Sequence, residues 1–558
     1  SWQRGLVSQY LGEGTEYKLN ENWVKKAAKV SLLDQELKLV FFGTRVFKGL
    51  LVVLVLAVAL AVLVLGGCRS VRQFPDRPIR VQMTSDGSKV LFFDIDGNRL
   101  ADYWQREDDS GRKVELCFDG ENSVVNEKVL LDEMGDEEVP HFIIALDGVP
   151  YQLVRELYGQ GCLRLFYPPS RMISSFPAMT DVAFQRVFGG HQPRAYQATY
   201  FDRQKNRLIG GNDIYMSGEA ADWAKKLDYR CSFKLDAIAY KCPEMVFEHE
   251  LRGMMEVFRK AESGTKIAYS VATAGLGTQG GREAILKYLR TIDQLCEQIV
   301  YERHGRVKIT LLADHGHNMS GRGRISFKQL LAENGYRLTD RLKKPGDVVT
   351  IEYGLITYAE FFTDDPAGVG EVLLQDPAVT IACFPEKRED PSSIVVQSID
   401  GKAFIRRSAD RYSYTVHEGD PLQLSDIIER LREAGKVDET GFIDDRAMFE
   451  ATVRHIYPDP LRRVWMAFNG LVEKPADLIV CLKDGWVHGS AFFEVMIGGA
   501  TSTHGSLNQI NSTTFAMTMW GPLPEAMRLE DLMVELEELQ KRGWRQDCGS
   551  EEPEVKFF

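Results

Sequence analysis

No two cysteines in this 558-residue chain stand in a C-x-x-C pair; the nine lie at 68, 117, 162, 231, 242, 296, 383, 481 and 548. That spread argues against a zinc ribbon or a dithiol redox motif, and a chain of this length needs no disulfide framework to hold a core. Cys231 and Cys242 are the closest pair, and the first to test for a bridge if the domain lies outside the cytoplasm. Positive charge is also short. Lys and Arg number 68 against 80 Asp and Glu, a net charge of −12, which argues against a nucleic-acid backbone as partner because phosphate neutralisation needs clustered cations. A local basic pocket for a small phosphate ester is still compatible with that balance. No internal repeat is evident.

One hydrophobic run stands out for its length. Gly49 to Gly67 carries no charge and is nearly all Leu, Val and Ala. About 20 such residues, rising about 1.5 Å each, cross a hydrocarbon core of about 30 Å. Residues 47–68 are therefore expected to be a membrane helix or a lipoprotein signal. The run ends in Leu65-Gly66-Gly67-Cys68, which resembles a bacterial lipoprotein signal. Residues 1–46 are too long for an ordinary n-region and read as a cytoplasmic tail or an over-called start. Lys38, Arg45 and Lys48 on one side face Arg69, Arg72 and Arg77 on the other, so flanking charge barely sets orientation. Either alternative anchors the chain in a membrane with the main domain on the extracytoplasmic side, in a bacterial periplasm or at a cell surface.

Residues 69–138 read as a linker and a small β-rich section, 139–535 as the main domain, and 536–558 as a charged tail. Within the small section, Asp94, Asp96 and Asp102 surround a Gly turn. They partly match a calcium loop, but the downstream Glu and the helical flanks are missing, and an Asp-Gly hairpin is the preferred reading. The main domain opens on His141-Phe-Ile-Ile-Ala-Leu-Asp147, a continuous apolar run of the kind found in buried strands of parallel sheets. Similar runs recur at Lys308–Asp314 and Ala476–Leu482. Between them Ile285, Leu286, Leu289, Ile292, Leu295 and Ile299 fall at helical spacing. Strand–helix alternation predicts an α/β, doubly wound sheet, with an inserted α+β section at about 325–450. Strands ending in Asp place carboxylates at the edge where such sheets bind ligands.

Five motifs follow in order. They are Ala145-Leu-Asp147-Gly-Val; Ser174-Ser175-Phe-Pro-Ala-Met-Thr-Asp; Tyr269-Ser-Val-Ala-Thr273-Ala-Gly-Leu-Gly277; Asp314-His315-Gly-His317; and Ser502-Thr-His504-Gly. A strand-end Asp, a hydroxyl before Phe-Pro at a helix start, D-H-G after a strand and a late T-H-G resemble the phosphodiesterase/nucleotide pyrophosphatase family of the alkaline-phosphatase superfamily. The resemblance spans roughly 140–320 and 455–525. It implies an alkaline-phosphatase-like sheet and one Zn2+ held by Asp147, Asp314 and His315. Ser175 would sit on that metal as nucleophile, and His504 would belong to a second zinc. A serine hydroxyl at neutral pH needs such activation, and a helix N-terminus adds N–H groups for a phosphoryl oxygen.

The chain departs from that pattern in one place. The family draws an Asp and a His of its second site from a D-x-x-x-H motif, and here Thr273 and Gly277 stand in the matching stretch. The resemblance thus implies an eroded second site, with His504 left without a partner ligand. His317 is a substitute ligand of lower rank, because alternate residues of an extended segment face opposite ways. A sulfatase is disfavoured, since Met179 stands where that pattern needs Arg. Two functions stay open: a metal-dependent hydrolase of phosphodiester or pyrophosphate bonds, and a non-catalytic, membrane-anchored binding or scaffold protein that keeps the fold.

Overall fold

The computed structural model describes residues 74–119, 125–131, 139–219 and 221–542. The expected membrane segment at 47–68 therefore lies outside the described residues, and among those residues no helix is long and apolar enough to cross a membrane.

The first described element is a five-stranded antiparallel meander running from Arg80–Met83 to Val125–Leu130. The Asp94–Asp102 loop links its second and third strands. Asp94 Oδ1 accepts from the Gly97 and Asn98 N–H groups, and Asp102 Oδ2 from those of Ile95 and Asp96, so the carboxylates close the turn themselves. A buried ion pair ties the meander to the main domain. Lys113 Nζ contacts Glu297 Oε1 on the long helix Ala272–Glu302, while Gln105 Nε2 donates to Glu297 Oε2 at 2.6 Å. Removing one partner of such a pair leaves the other charge uncompensated. Lys113→Met is expected to destabilise the chain by about 3 kcal/mol in denaturant melts, with much of the loss recovered by adding Glu297→Leu.

The main sheet has six strands, in the order Thr265–Ser270, His141–Leu146, Lys308–Ala313, Thr513–Thr518, Ser170–Ile173, Ala526–Arg528. The first three are parallel, with Leu146 in register with Ala313 and Ser270. The fourth runs antiparallel to both neighbours, so the fold is a mixed α/β sheet rather than a purely parallel one. The helices Tyr151–Gly159, Thr180–Phe188, Pro243–Lys260 and Ala272–Glu302 contribute to its core. The six apolar positions from Ile285 to Ile299 are all buried there. The long helix begins earlier than the apolar spacing suggests and breaks at Gly281, whose φ of 59° and ψ of −145° interrupt it.

A second sheet of nine strands fills most of the region from Arg337 to Leu482. The Ala476–Leu482 run, read from sequence as a main-sheet strand, belongs here instead. Leu478–Leu482 pairs antiparallel with Tyr358–Thr363 and Val379–Lys387. Both faces of this strand are covered. Ile479 and Cys481 join the core that holds helix Pro460–Phe468, while Leu478, Val480 and Leu482 join the one that holds helix Pro366–Leu373. Cys231 and Cys242 are both free thiols; Cys231 is buried, with its Sγ 2.8 Å from Asp236 Oδ1.

Candidate metal centre

Adjacent parallel strands deliver Asp147 and Asp314 to the same sheet edge, one residue beyond the Leu146–Ala313 register pair. Each carboxylate commits one oxygen outward. Asp147 Oδ2 accepts from the Tyr269 hydroxyl at 2.7 Å, and Asp314 Oδ1 accepts the Gly148 and His315 N–H groups, each at 2.9 Å. The other two oxygens face inward, and Asp314 Oδ2 is buried with no hydrogen-bond partner. Burial, then the neighbouring Asp314, holds the Asp147 carboxyl well above the usual range; burial raises that of Asp314 to about 7.

Three imidazoles complete the surroundings, and each is anchored through Nδ1. His315 Nδ1 meets the Gly316 carbonyl at 3.0 Å, His504 Nδ1 the Ala178 carbonyl at 2.8 Å, and His317 Nδ1 the Ser502 hydroxyl at 2.9 Å. A carbonyl only accepts, so the first two rings carry their proton on Nδ1 and turn an Nε2 lone pair inward. Burial pushes the His315 imidazole down to about 3 and depresses His317 and His504 as well, so all three are neutral at neutral pH. The contacts of His315 Nε2 with the Asp147 and Asp314 carboxylates are therefore not ion pairs.

The hydroxyl that reaches this cluster is Thr180, the first residue of helix Thr180–Phe188. Its Oγ1 lies 3.3 Å from Asp147 Oδ1 and 3.2 Å from His315 Nε2. Ser175, which the sequence reading placed here, turns its hydroxyl to the Pro177 carbonyl at 2.9 Å, and its own carbonyl accepts from Arg463 at 3.0 Å. The Phe176–Met179 segment separates it from the helix start. Thr180 is also half-buried where Asp147, Asp314 and His315 are fully enclosed, so the cluster opens toward solvent at the threonine.

The donor set fits a divalent cation. His315 Nε2 lies 3.2 Å from Asp314 Oδ2 and 3.6 Å from Asp147 Oδ1, beside the two Thr180 distances of 3.2 and 3.3 Å. Ligands about 2.0–2.2 Å from a tetrahedral zinc sit about 3.3–3.6 Å from one another. Two inward carboxylate oxygens and an imidazole lone pair share a single hydroxyl proton, which leaves negative charge for a cation to balance. Asp147, Asp314 and His315 form one group with metal-ligand spacing; His315, His317 and His504 form another.

The sequence offers His317 as a substitute ligand of lower rank and gives Tyr269 no role. Gly148 explains how His317 fits. A Cβ there would lie 2.5 Å from His317 Cδ2 and Nε2, on a residue with φ of +67°. Gly148→Ala is expected to displace His317 and strain the turn by about 1–3 kcal/mol, read as a lower melting temperature and reduced metal content. Thr273 sits buried with its hydroxyl on the Ser270 carbonyl at 3.2 Å, and Gly277 lies one turn further on.

No protein-family model matches this chain, and no curated protein matches it. Among solved structures, human ectonucleotide pyrophosphatase / phosphodiesterase 5 aligns over 72% of this chain and 94% of its own, at 11% identity and a TM-score of 0.39. The murine protein in complex with AMP aligns over 73% and 95%, at 11% identity and 0.40. Phosphonoacetate hydrolase from Sinorhizobium meliloti 1021, in complex with phosphonoformate, aligns over 71% and 94%, at 13% and 0.38. These neighbours are members of the alkaline-phosphatase superfamily, the group that the sequence motifs resemble. Likeness at this level carries no argument about chemistry.

Proposed function

We propose that this chain is a metal-dependent hydrolase of phosphoester bonds, of the phosphodiester or pyrophosphate class, in which Thr180 attacks phosphorus. One observation carries the reading: the hydroxyl of the half-buried Thr180 converges with two buried carboxylates and an imidazole at distances of 3.2–3.6 Å. Zn2+ held by Asp147, Asp314 and His315 would lower the pKa of that hydroxyl and draw charge from a phosphoryl oxygen. Because Asp147 Oδ1 and His315 Nε2 would face the cation, the proton that Thr180 loses would pass to solvent. No side chain caps the helix that Thr180 opens, so its first-turn N–H groups are available to a phosphoryl oxygen. Thr180 Oγ1 bonds to phosphorus as the leaving oxygen departs with its electron pair, and water then cleaves the phosphothreonine. Tyr269 holds Asp147 in the orientation that keeps Oδ1 facing the threonine.

The same proposal sets this reaction at the outer face of a membrane, a reading supported by the uncharged run Gly49 to Gly67. The test is turnover of a chromogenic phosphodiester by the full chain, before and after chelation and after zinc is restored. Activity that a chelator leaves untouched contradicts the reading. The second reading, a non-catalytic binding protein, draws on Thr273 and Gly277, which offer no carboxylate or imidazole. It predicts bound zinc with no turnover on mono- or diesters.

A further inference from the structure

The pair His317 and His504 is not used by the reaction just described. One ring nitrogen of each, with one of His315, forms a set whose members lie within 4.8 Å of one another, and the His317–His504 ring centroids are 5.3 Å apart. His317 Nε2 is buried and has no hydrogen-bond partner. The His504 ring donates its Nδ1 proton to the Ala178 carbonyl, so its inward Nε2 is a lone pair and not a donor. A lone pair in that position suits a cation, not a phosphoryl oxygen. The ring of His317 also fills the place that a side chain at 277 would take, since a Cβ on Gly277 would lie 3.2 Å from His317 Nδ1. The segment carrying His317 is stitched to the one carrying His504. Asn318 N–H donates to the Thr503 carbonyl at 2.8 Å, and Met319 N–H to Ser502 Oγ at 2.9 Å.

From this geometry we propose that His317 and His504 hold a second divalent cation, and that they hold it only together with the anionic phosphoryl group of the substrate. The inference rests on the metal-dependent reading above and revises the expectation of a lost second site. Its physical basis is charge. The first ligand set has two carboxylates to balance a dication, whereas the second offers two neutral imidazoles and no carboxylate. A dication there, enclosed and close to the first, brings positive charge that the two imidazoles do not neutralise. A phosphoryl oxyanion supplies the missing negative charge and an oxygen ligand. By linkage, the ion and the anion then raise each other's affinity by the same factor.

The experiment uses the full chain stripped of metal, re-equilibrated with buffered Zn2+, with and without inorganic phosphate. Bound zinc per chain is measured by plasma mass spectrometry, and zinc affinity by calorimetry. One ion is expected without phosphate and two with it, the second binding at least about tenfold more tightly when phosphate is present. His317→Gln, which keeps the volume, is expected to hold one ion under both conditions, and that retained ion shows that the variant is folded. One ion in the wild type whatever the phosphate, two ions without phosphate, or two ions in His317→Gln would each overturn the proposal and leave the first site standing. A wild type that binds no zinc at all overturns the hydrolase reading, and this inference with it.

Discussion

Thr180→Ala is expected to lower kcat on a chromogenic phosphodiester by about a thousandfold or more, whereas Ser175→Ala stays within about threefold of the wild type. The two residues lie five apart on one motif and differ in where their hydroxyls point. The Thr180 oxygen is within 3.3 Å of a carboxylate and an imidazole; that of Ser175 is bonded to a main-chain carbonyl. Truncating the threonine leaves Asp147, Asp314 and His315 in place, so zinc content is expected to fall little while turnover collapses. Thr180→Ser, which retains the hydroxyl, should recover a measurable part of the rate. Equal losses in the Thr180 and Ser175 alanine variants would remove the threonine from the chemistry.

Asp314→Asn carries the second large effect, and it reverses sign with metal. With zinc at a hundredfold over its Kd, binding stabilises the folded wild type by about 2.7 kcal/mol. The asparagine variant is expected to lose that gain and most of its activity. Without metal the order inverts, because the buried Asp314 carboxylate has no compensating cation, and the amide removes a cost of roughly 1–3 kcal/mol at pH 8. Burial raises the folded carboxyl to about 7, above the unfolded value of about 3.9. Between those values the folded state keeps a proton that the unfolded state has lost, so metal-free stability falls as pH rises through the window. Zinc competes for the same oxygen, so its affinity should rise with pH up to about 7. Melting curves at pH 5 and 8, with zinc and with chelator, check both signs; a metal-free wild type more stable at pH 8 contradicts the account.

Much of the fold's logic was legible in the residues. An apolar run ending in Asp specifies a covered strand with a carboxylate at its tip, and two such strands in parallel register bring Asp147 beside Asp314. The spacing from Ile285 to Ile299 gave a helix with a buried stripe, and all six positions lie in the core. The hydroxyl was harder to assign because Ser175 and Thr180 flank the same Phe-Pro pair, and sequence does not say which of them opens the helix. Only the path of residues 176–179 decides that. His317 was set aside on strand alternation, but the chain leaves its strand at Ala313 and runs irregularly through 315–320, so both rings turn inward. Leu478–Leu482 shows a different limit. An apolar run reveals that both faces of a strand are covered but not which sheet covers them.

The antiparallel strand Thr513–Thr518 sits between Lys308–Ala313 and Ser170–Ile173, in the middle of the sheet that carries the metal centre. A ribosome-bound chain that has emerged only as far as the nine-stranded sheet has neither this strand nor His504. Its two flanking strands then face each other across an open slot with unpaired main-chain groups. Closing that slot waits until residues 513–518 have emerged and joins segments more than 190 residues apart, a contact order that makes for slow maturation and a long exposure to chaperones.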